Sequence, residues 1–174
     1  ARALRANPTS ARALANYGLI LSELGRLDEA LAALDRVATT NSDLPDAHNT
    51  RGHVLQRLGR NEDALDSFDR ALALHPGYVE AHKNRGNALQ GLRRYADALA
   101  SYDRALALRP DYPEAHFNRG SALKQLGRVD EALAAFDQAL QSRPRGAGRS
   151  HHRHRDRGRR LGRPGRGAVG PARR

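Results

Sequence analysis

Residues 45–78 read PDAHNTRGHVLQRLGRNEDALDSFDRALALHPGY, and this stretch decides the fold. Its apolar residues recur every three or four positions, which is the period of amphipathic helices rather than strands. The spacing predicts a first helix over 46–58. Gly59 follows it, and glycine is the residue best suited to the left-handed conformation that ends a helix. A second helix is predicted over 61–74, with Glu62 and Asp63 at its positive end and Arg70 near its negative end. Pro76 then stops the chain from continuing, since proline inside a helix costs about 3 kcal/mol or more.

Working outward from this stretch, the same pattern returns every 34 residues. Glycine stands at Gly18, Gly52, Gly86 and Gly120, and alanine follows at Ala30, Ala64, Ala98 and Ala132. Bulky residues come next at Leu34, Phe68, Tyr102 and Phe136, then small ones at Val37, Ala71, Ala105 and Ala139. Proline closes the unit at Pro76, Pro110 and Pro144, with Ser42 in that place in the first unit. Two antiparallel helices joined by a short turn approach closely only where facing side chains are small, which explains Gly52 and Ala64. Phe68 is expected to fill the space they leave. The units run 11–44, 45–78, 79–112 and 113–144, preceded over 1–10 by the end of an earlier one, where Ala3 and Pro8 fall in register. Half a unit cannot bury its own apolar face, so the array reads as a fragment cut on its left.

The glycine, alanine, aromatic and proline columns at these spacings resemble those of the tetratricopeptide repeat family, including the repeat arrays of bacterial proteins, over residues 1–144. The tryptophan common in that family four residues before the glycine is replaced by His48, His82 and His116, and by Leu14 in the first unit. The resemblance implies an all-α, right-handed α-solenoid whose first helices line a concave groove that holds a segment of a partner protein. Any stacked solenoid offers its concave surface as the largest continuous site.

Two residues before the glycine column stand Asn16, Asn84 and Asn118, with Thr50 in the second unit. Stacking would set them in a ladder, and an amide, both donor and acceptor, suits a peptide backbone of any sequence. The ladder is similar to that of the O-linked N-acetylglucosamine transferases, where the resemblance implies a substrate-holding role. The bland alternative is that these amides cap or bridge helices. The groove residues expected to meet a partner are Asn16, Asn49, Lys83, Asn84, Asn87, Gln90 and Asn118. Lys83, Asn87 and Asn118 also match three members of the two-carboxylate clamp of certain co-chaperones. The remaining two places fall on Gly148 and His152, which leaves that clamp incomplete, and Glu80 and Glu114 beside it disfavour an anionic ligand.

Other function classes find little support. With no cysteine, the chain has neither disulfides nor thiolate chemistry. The histidines, a whole unit apart, are too widely spaced to share a metal and are read as packing residues. No catalytic triad, phosphate loop or helical metal motif appears in 1–144, so no enzyme activity and no cofactor are expected. No apolar run reaches the roughly 20 residues a membrane span needs, and no secretory leader opens the chain, so a cytoplasmic protein is expected.

The net charge of +11 divides unevenly: +1 over residues 1–144 and +10 over 145–174. The basic stretch has almost nothing apolar to bury and is expected to be disordered. It could bind nucleic acid electrostatically, though without an aromatic residue to stack on bases. His151, His152 and His154 could catch a metal. Alternatively, since Arg, Gly, Pro and Ala with their GC-rich codons make up 23 of the last 30 residues, it could be a gene read out of frame. The abrupt end of the period favours that last reading. The function expected is therefore a protein-interaction module, with the substrate-recruiting arm of a larger glycosyltransferase as runner-up and nucleic-acid binding through the tail as a third reading. The last helix, with Ala139 and Leu140 facing no following unit, is a candidate for self-association.

Overall fold

The computed structural model describes residues 8–39 and 43–142. Eight α-helices and no strand occur among the described residues: α1 (Pro8–Glu23), α2 (Leu27–Thr39), α3 (Pro45–Arg57), α4 (Asn61–Leu74), α5 (Val79–Gly91), α6 (Tyr95–Leu108), α7 (Pro113–Gln125) and α8 (Val129–Gln141). The helix expected over 61–74 is α4 to the residue. The one expected over 46–58 begins a residue earlier, because proline at a first helical position gives up an N–H that has no partner there anyway. It ends at Arg57 because Leu58 is its C-cap residue. Residues 1–7, assigned above to an earlier unit, and the basic tail lie outside the described residues.

Each α-helical hairpin closes through the same turn. Gly59 lies at φ +77°, its N–H donating to Gln56 O at 3.0 Å, while the Arg60 N–H donates to Leu55 O at 2.9 Å. These two bonds satisfy carbonyls that the end of a helix leaves without partners. Gly25 and Gly127 adopt the same conformation, but the third hairpin places Arg93 there, at φ +60°. Inside the hairpin, a Cβ on Gly52 would lie 2.6 Å from Phe68 Cε1, so helix and ring touch only because that side chain is absent. Phe68 and Tyr102 are fully buried, as are Leu55, Leu89 and Leu123. Each such large side chain contributes about 1.5–3 kcal/mol by leaving water.

The hairpins are α1–α2, α3–α4, α5–α6 and α7–α8, and each packs on the next through α2–α3, α4–α5 and α6–α7. The odd-numbered helices also touch one another in sequence, whereas among the described residues the even-numbered ones do not. Helices drawn together on one side and splayed on the other curve the stack. The result is an all-α, right-handed α-solenoid with α1, α3, α5 and α7 along its concave side. No described helix is long and apolar enough to cross a membrane.

Candidate peptide-binding face

The amide residues on the odd helices are tied to one another across the repeats. Asn84 on α5 is buried and donates through Nδ2 to Asn49 Oδ1 on α3 at 3.1 Å. Asn118 on α7 donates in the same way to Asn87 Oδ1 on α5 at 2.8 Å. Gln90 Nε2 reaches Ser121 Oγ at 3.3 Å. Tyrosines extend both groups: the fully buried Tyr102 hydroxyl shares its single hydrogen between Asn87 Oδ1 at 2.8 Å and Gln90 Oε1 at 3.1 Å, and Asn49 Nδ2 donates to the Tyr78 hydroxyl at 3.4 Å. Burial raises both phenols above their ordinary range, with Asp46 adding to the shift at Tyr78, so both stay protonated donors.

Of the seven residues expected on this face, five are bridged in two sets, Asn49 with Asn84, and Asn87 with Asn118 and, through Tyr102, Gln90, rather than in a ladder within a single column. Partners lie 35 or 31 residues apart rather than 34, because an amide reaches its neighbour across the helix spacing only with an offset along the axis. Thr50, in the expected column, donates instead to Asp46 O of its own helix at 2.8 Å. Asn16 is exposed on α1 and takes no part in the bridges. Lys83 stands half-buried next to this set on α5. Burial pushes its ammonium below the ordinary range, and Glu114 and Glu80 oppose that shift.

A second repeating device ties the hairpins on the other side. Arg51 of α3 pairs with Asp35 of α2 at 2.7 Å and donates to Ser67 of α4 at 2.6 Å. Arg85 does the same with Asp69 and Ser101, and Arg119 pairs with Asp103, while Ala135 stands in the place of the serine. One guanidinium thus joins three helices, using its fork of fixed donors. These residues were missed from the sequence, although arginine directly before the glycine column and aspartate directly after the bulky column were there to be read.

The histidines in the tryptophan places also do more than pack. His82 Nε2 lies 2.9 Å from Pro76 O and His116 Nε2 lies 2.8 Å from Pro110 O, so each ring donates to the carbonyl of the proline that ends the preceding hairpin. Among the described residues no group of three or more metal-ligating side chains converges. The two clamp places at Gly148 and His152, and the tail histidines, lie outside the described residues. Where the groove reaches α8, a cavity of about 720 Å³ opens between Pro113, Phe117, Phe136, Ala139 and Leu140, with Phe117 and Phe136 at 5.5 Å.

A solenoid of glycine-turned helical hairpins with a polar concave side is one of the helical-repeat architectures. The chain belongs to the tetratricopeptide repeat family: profiles described as tetratricopeptide repeat match residues 1–32, 43–111 and 84–147, and one described as TPR repeat matches 18–59. No curated protein sequence matches it. Among solved structures it is similar to MamA, at 23% identity and a TM-score of 0.73 over 80% of this chain and 81% of that one. A MamA fragment, residue 41 to the end, from Desulfovibrio magneticus RS-1 gives 20% identity and 0.71 over 76% and 75%. The first TPR of Spaghetti (RPAP3), bound to the HSP90 peptide SRMEEVD, gives 25% identity and 0.63 over 75% and 98%.

Proposed function

We propose that the chain is a protein-interaction module whose odd-numbered helices hold an extended segment of a partner protein. The observation that carries this reading is the set of amides locked in place by their bridges. Each of Asn84 and Asn118 spends one N–H on its neighbour, and among the described residues its side-chain carbonyl has no hydrogen-bond partner. A donor or acceptor that is already oriented loses little rotamer freedom on binding, so more of its hydrogen-bond energy appears as affinity. An extended backbone presents N–H and C=O groups that such amides can match whatever the side chains. The peptide bound by the first TPR of Spaghetti supports a ligand of this kind. Its acidic character is not carried over, because Glu80 and Glu114 flank Lys83 here and a neutral or mixed-charge segment fits better.

Selection from a random peptide display library, followed by anisotropy titration of the enriched peptides, tests the reading. Asn84→Ala and Asn118→Ala should each weaken binding by about tenfold, the equivalent of a lost hydrogen bond of roughly 1.4 kcal/mol. Asp66→Ala, exposed on α4, should leave it unchanged. Peptides that bind all three variants equally well would place the binding surface elsewhere.

A further inference from the structure

Inside the array, where a hairpin lies on either side, the joint of α4, α5 and α6 forms a cavity of about 280 Å³ beside the arginine grips. Asp69 of α4, His82 and Arg85 of α5, and Ser101 and Arg104 of α6 line it. Asp69, Arg85 and Ser101 are already engaged with one another. Arg85 pairs with Asp69 at 2.6 Å and donates to Ser101 Oγ at 2.8 Å, and that hydroxyl donates on to Asp97 O at 3.1 Å. Arg104 and His82 are not spent in this way. The exposed Arg104 guanidinium makes no ion pair or hydrogen bond among the described residues. His82 uses Nε2 on Pro76 O at 2.9 Å, which leaves Nδ1 without a hydrogen-bond partner among the described residues.

Arg104 differs from its counterparts in the repeat. Arg70, one unit earlier, has Asp66 one turn back on its own helix, whereas Arg104 has Ala100 there, and one unit later Gln138 removes the cation. An arginine at this spacing from an aspartate is partly neutralised by it, and Arg104 is not. Its charged neighbours are cations instead. Burial holds the His82 pKa below its ordinary value, and the Arg104 and Arg85 charges add to that shift against the pull of the Pro76 carbonyl. The one carboxylate in the cavity, Asp69, is matched by Arg85, so the cavity keeps a surplus of positive charge. An anion that entered would meet a free guanidinium fork, the strongest side-chain donor set for a phosphate or carboxylate. The volume is below the roughly 300–1,000 Å³ usual for a whole small molecule, and no phenylalanine, tyrosine or tryptophan lines the cavity to stack on a base, so it fits the tip of a side chain. A phosphate ester brings about two negative charges and three acceptor oxygens, enough to engage Arg104 and, once it is protonated, His82 Nδ1, whereas Arg104 alone balances a carboxylate. Leu72 and Ala100, also in the wall, offer apolar surface to a short alkyl stem.

We propose that the cavity at the α4, α5 and α6 joint binds a phosphorylated serine or threonine of a partner protein, with Arg104 as its principal contact, His82 as the second and the Arg85–Asp69 pair as a fixed wall. The site is separate from the amide residues and does not rest on the function proposed for them. The charged groups around the His82 ring are Arg85 on its own helix, Asp69 on α4 and Arg104 on α6, and Pro76 O accepts from its Nε2. A phosphate placed among them offsets the two arginine charges, so a bound phosphate raises the His82 pKa.

NMR titration of the full chain, following the Arg104 and His82 side-chain signals, tests this and keeps the site distinct from the arginines of residues 145–174. The probe is the capped tripeptide Ala-phosphoserine-Ala at constant ionic strength, compared with Ala-Ser-Ala, Ala-Glu-Ala and AMP. Saturable shifts at both residues, a raised His82 titration midpoint, and binding at least about tenfold tighter than that of the glutamate peptide or AMP are the results expected. Arg104→Gln should weaken binding, read at His82, by about tenfold or more, and Arg70→Gln should leave it unchanged. Shifts that grow without saturating, equal affinity for the glutamate peptide or AMP, or an Arg104→Gln chain that binds as tightly as wild type overturns the proposal. Arg104 and Arg70 are exposed, so the fold should persist in both variants, and circular dichroism checks it.

Discussion

Replacing Arg93 by glycine should stabilise the protein, and the size of the effect follows from the turn geometry. Arg93 sits at φ +60° where Gly25, Gly59 and Gly127 sit at +76° to +78° in the other hairpins. An L-residue held in the left-handed region costs about 1–2 kcal/mol because its Cβ crowds the following carbonyl. Glycine gives back about 0.5–1 kcal/mol through the greater freedom of the unfolded chain. The net gain is about 0.5–1 kcal/mol, and for a chain of this size it raises Tm by about 1–4 °C. Nothing else is lost, since the Arg93 side chain is exposed and makes no hydrogen bond or ion pair among the described residues. The turn bonds from Arg93 N–H to Gln90 O and from Arg94 N–H to Leu89 O, both 2.9 Å, are retained. Thermal melts followed by circular dichroism measure the shift. Arg93→Ala keeps the backbone strain and should melt close to wild type, while Gly59→Arg imports it and should lower Tm by a similar amount. The reasoning fails if Arg93→Gly melts no higher than wild type while Gly59→Arg leaves the midpoint unchanged.

Gly52→Ala should destabilise by about 1–3 kcal/mol in urea titrations, because its methyl group meets the Phe68 ring, and combining it with Phe68→Leu should cost less than the two changes summed. Tyr102→Phe should cost about 1 kcal/mol and loosen Asn87 and Gln90, read as faster amide hydrogen exchange along α5. Acid should also weaken the fold before any carboxylate titrates. Burial lowers the folded-state pKa of His48, His53 and His82 below the ordinary value of 6.5. The unfolded chain therefore binds protons that the folded chain refuses, so stability is fully present above about pH 7 and declines as pH falls through the ordinary histidine range. Tm measured from neutral pH down to about pH 5 should fall, and His82→Gln should flatten that slope; a flat wild-type profile would count against the assignment.

Much of this molecule is legible in one dimension because its unit is local. Periodicity marks the helices, glycine and proline mark where they stop, and Gly52 and Phe68 lie only 16 residues apart within one hairpin. Repetition then turns a local pattern into an architecture, since identical hairpins can bury their remaining faces only by stacking. The amide residues were legible as a group on the same ground, being polar residues at fixed places on the first helix of each unit.

Their partners were not. Whether Asn84 meets Asn49 rather than Thr50, and whether Asn118 meets Asn87, depends on the rotation and axial offset from one hairpin to the next. The three-helix grip of Arg51 on Asp35 and Ser67 depends on the same stacking. So does the gathering of His82, Arg85 and Arg104 around one cavity. The sequence alone determined the hairpin, its period and its breakers, because these rest on interactions between residues close along the chain. The tertiary structure decided which polar groups meet and which stay unpaired, because side chains from different hairpins come together only through the geometry of the stack.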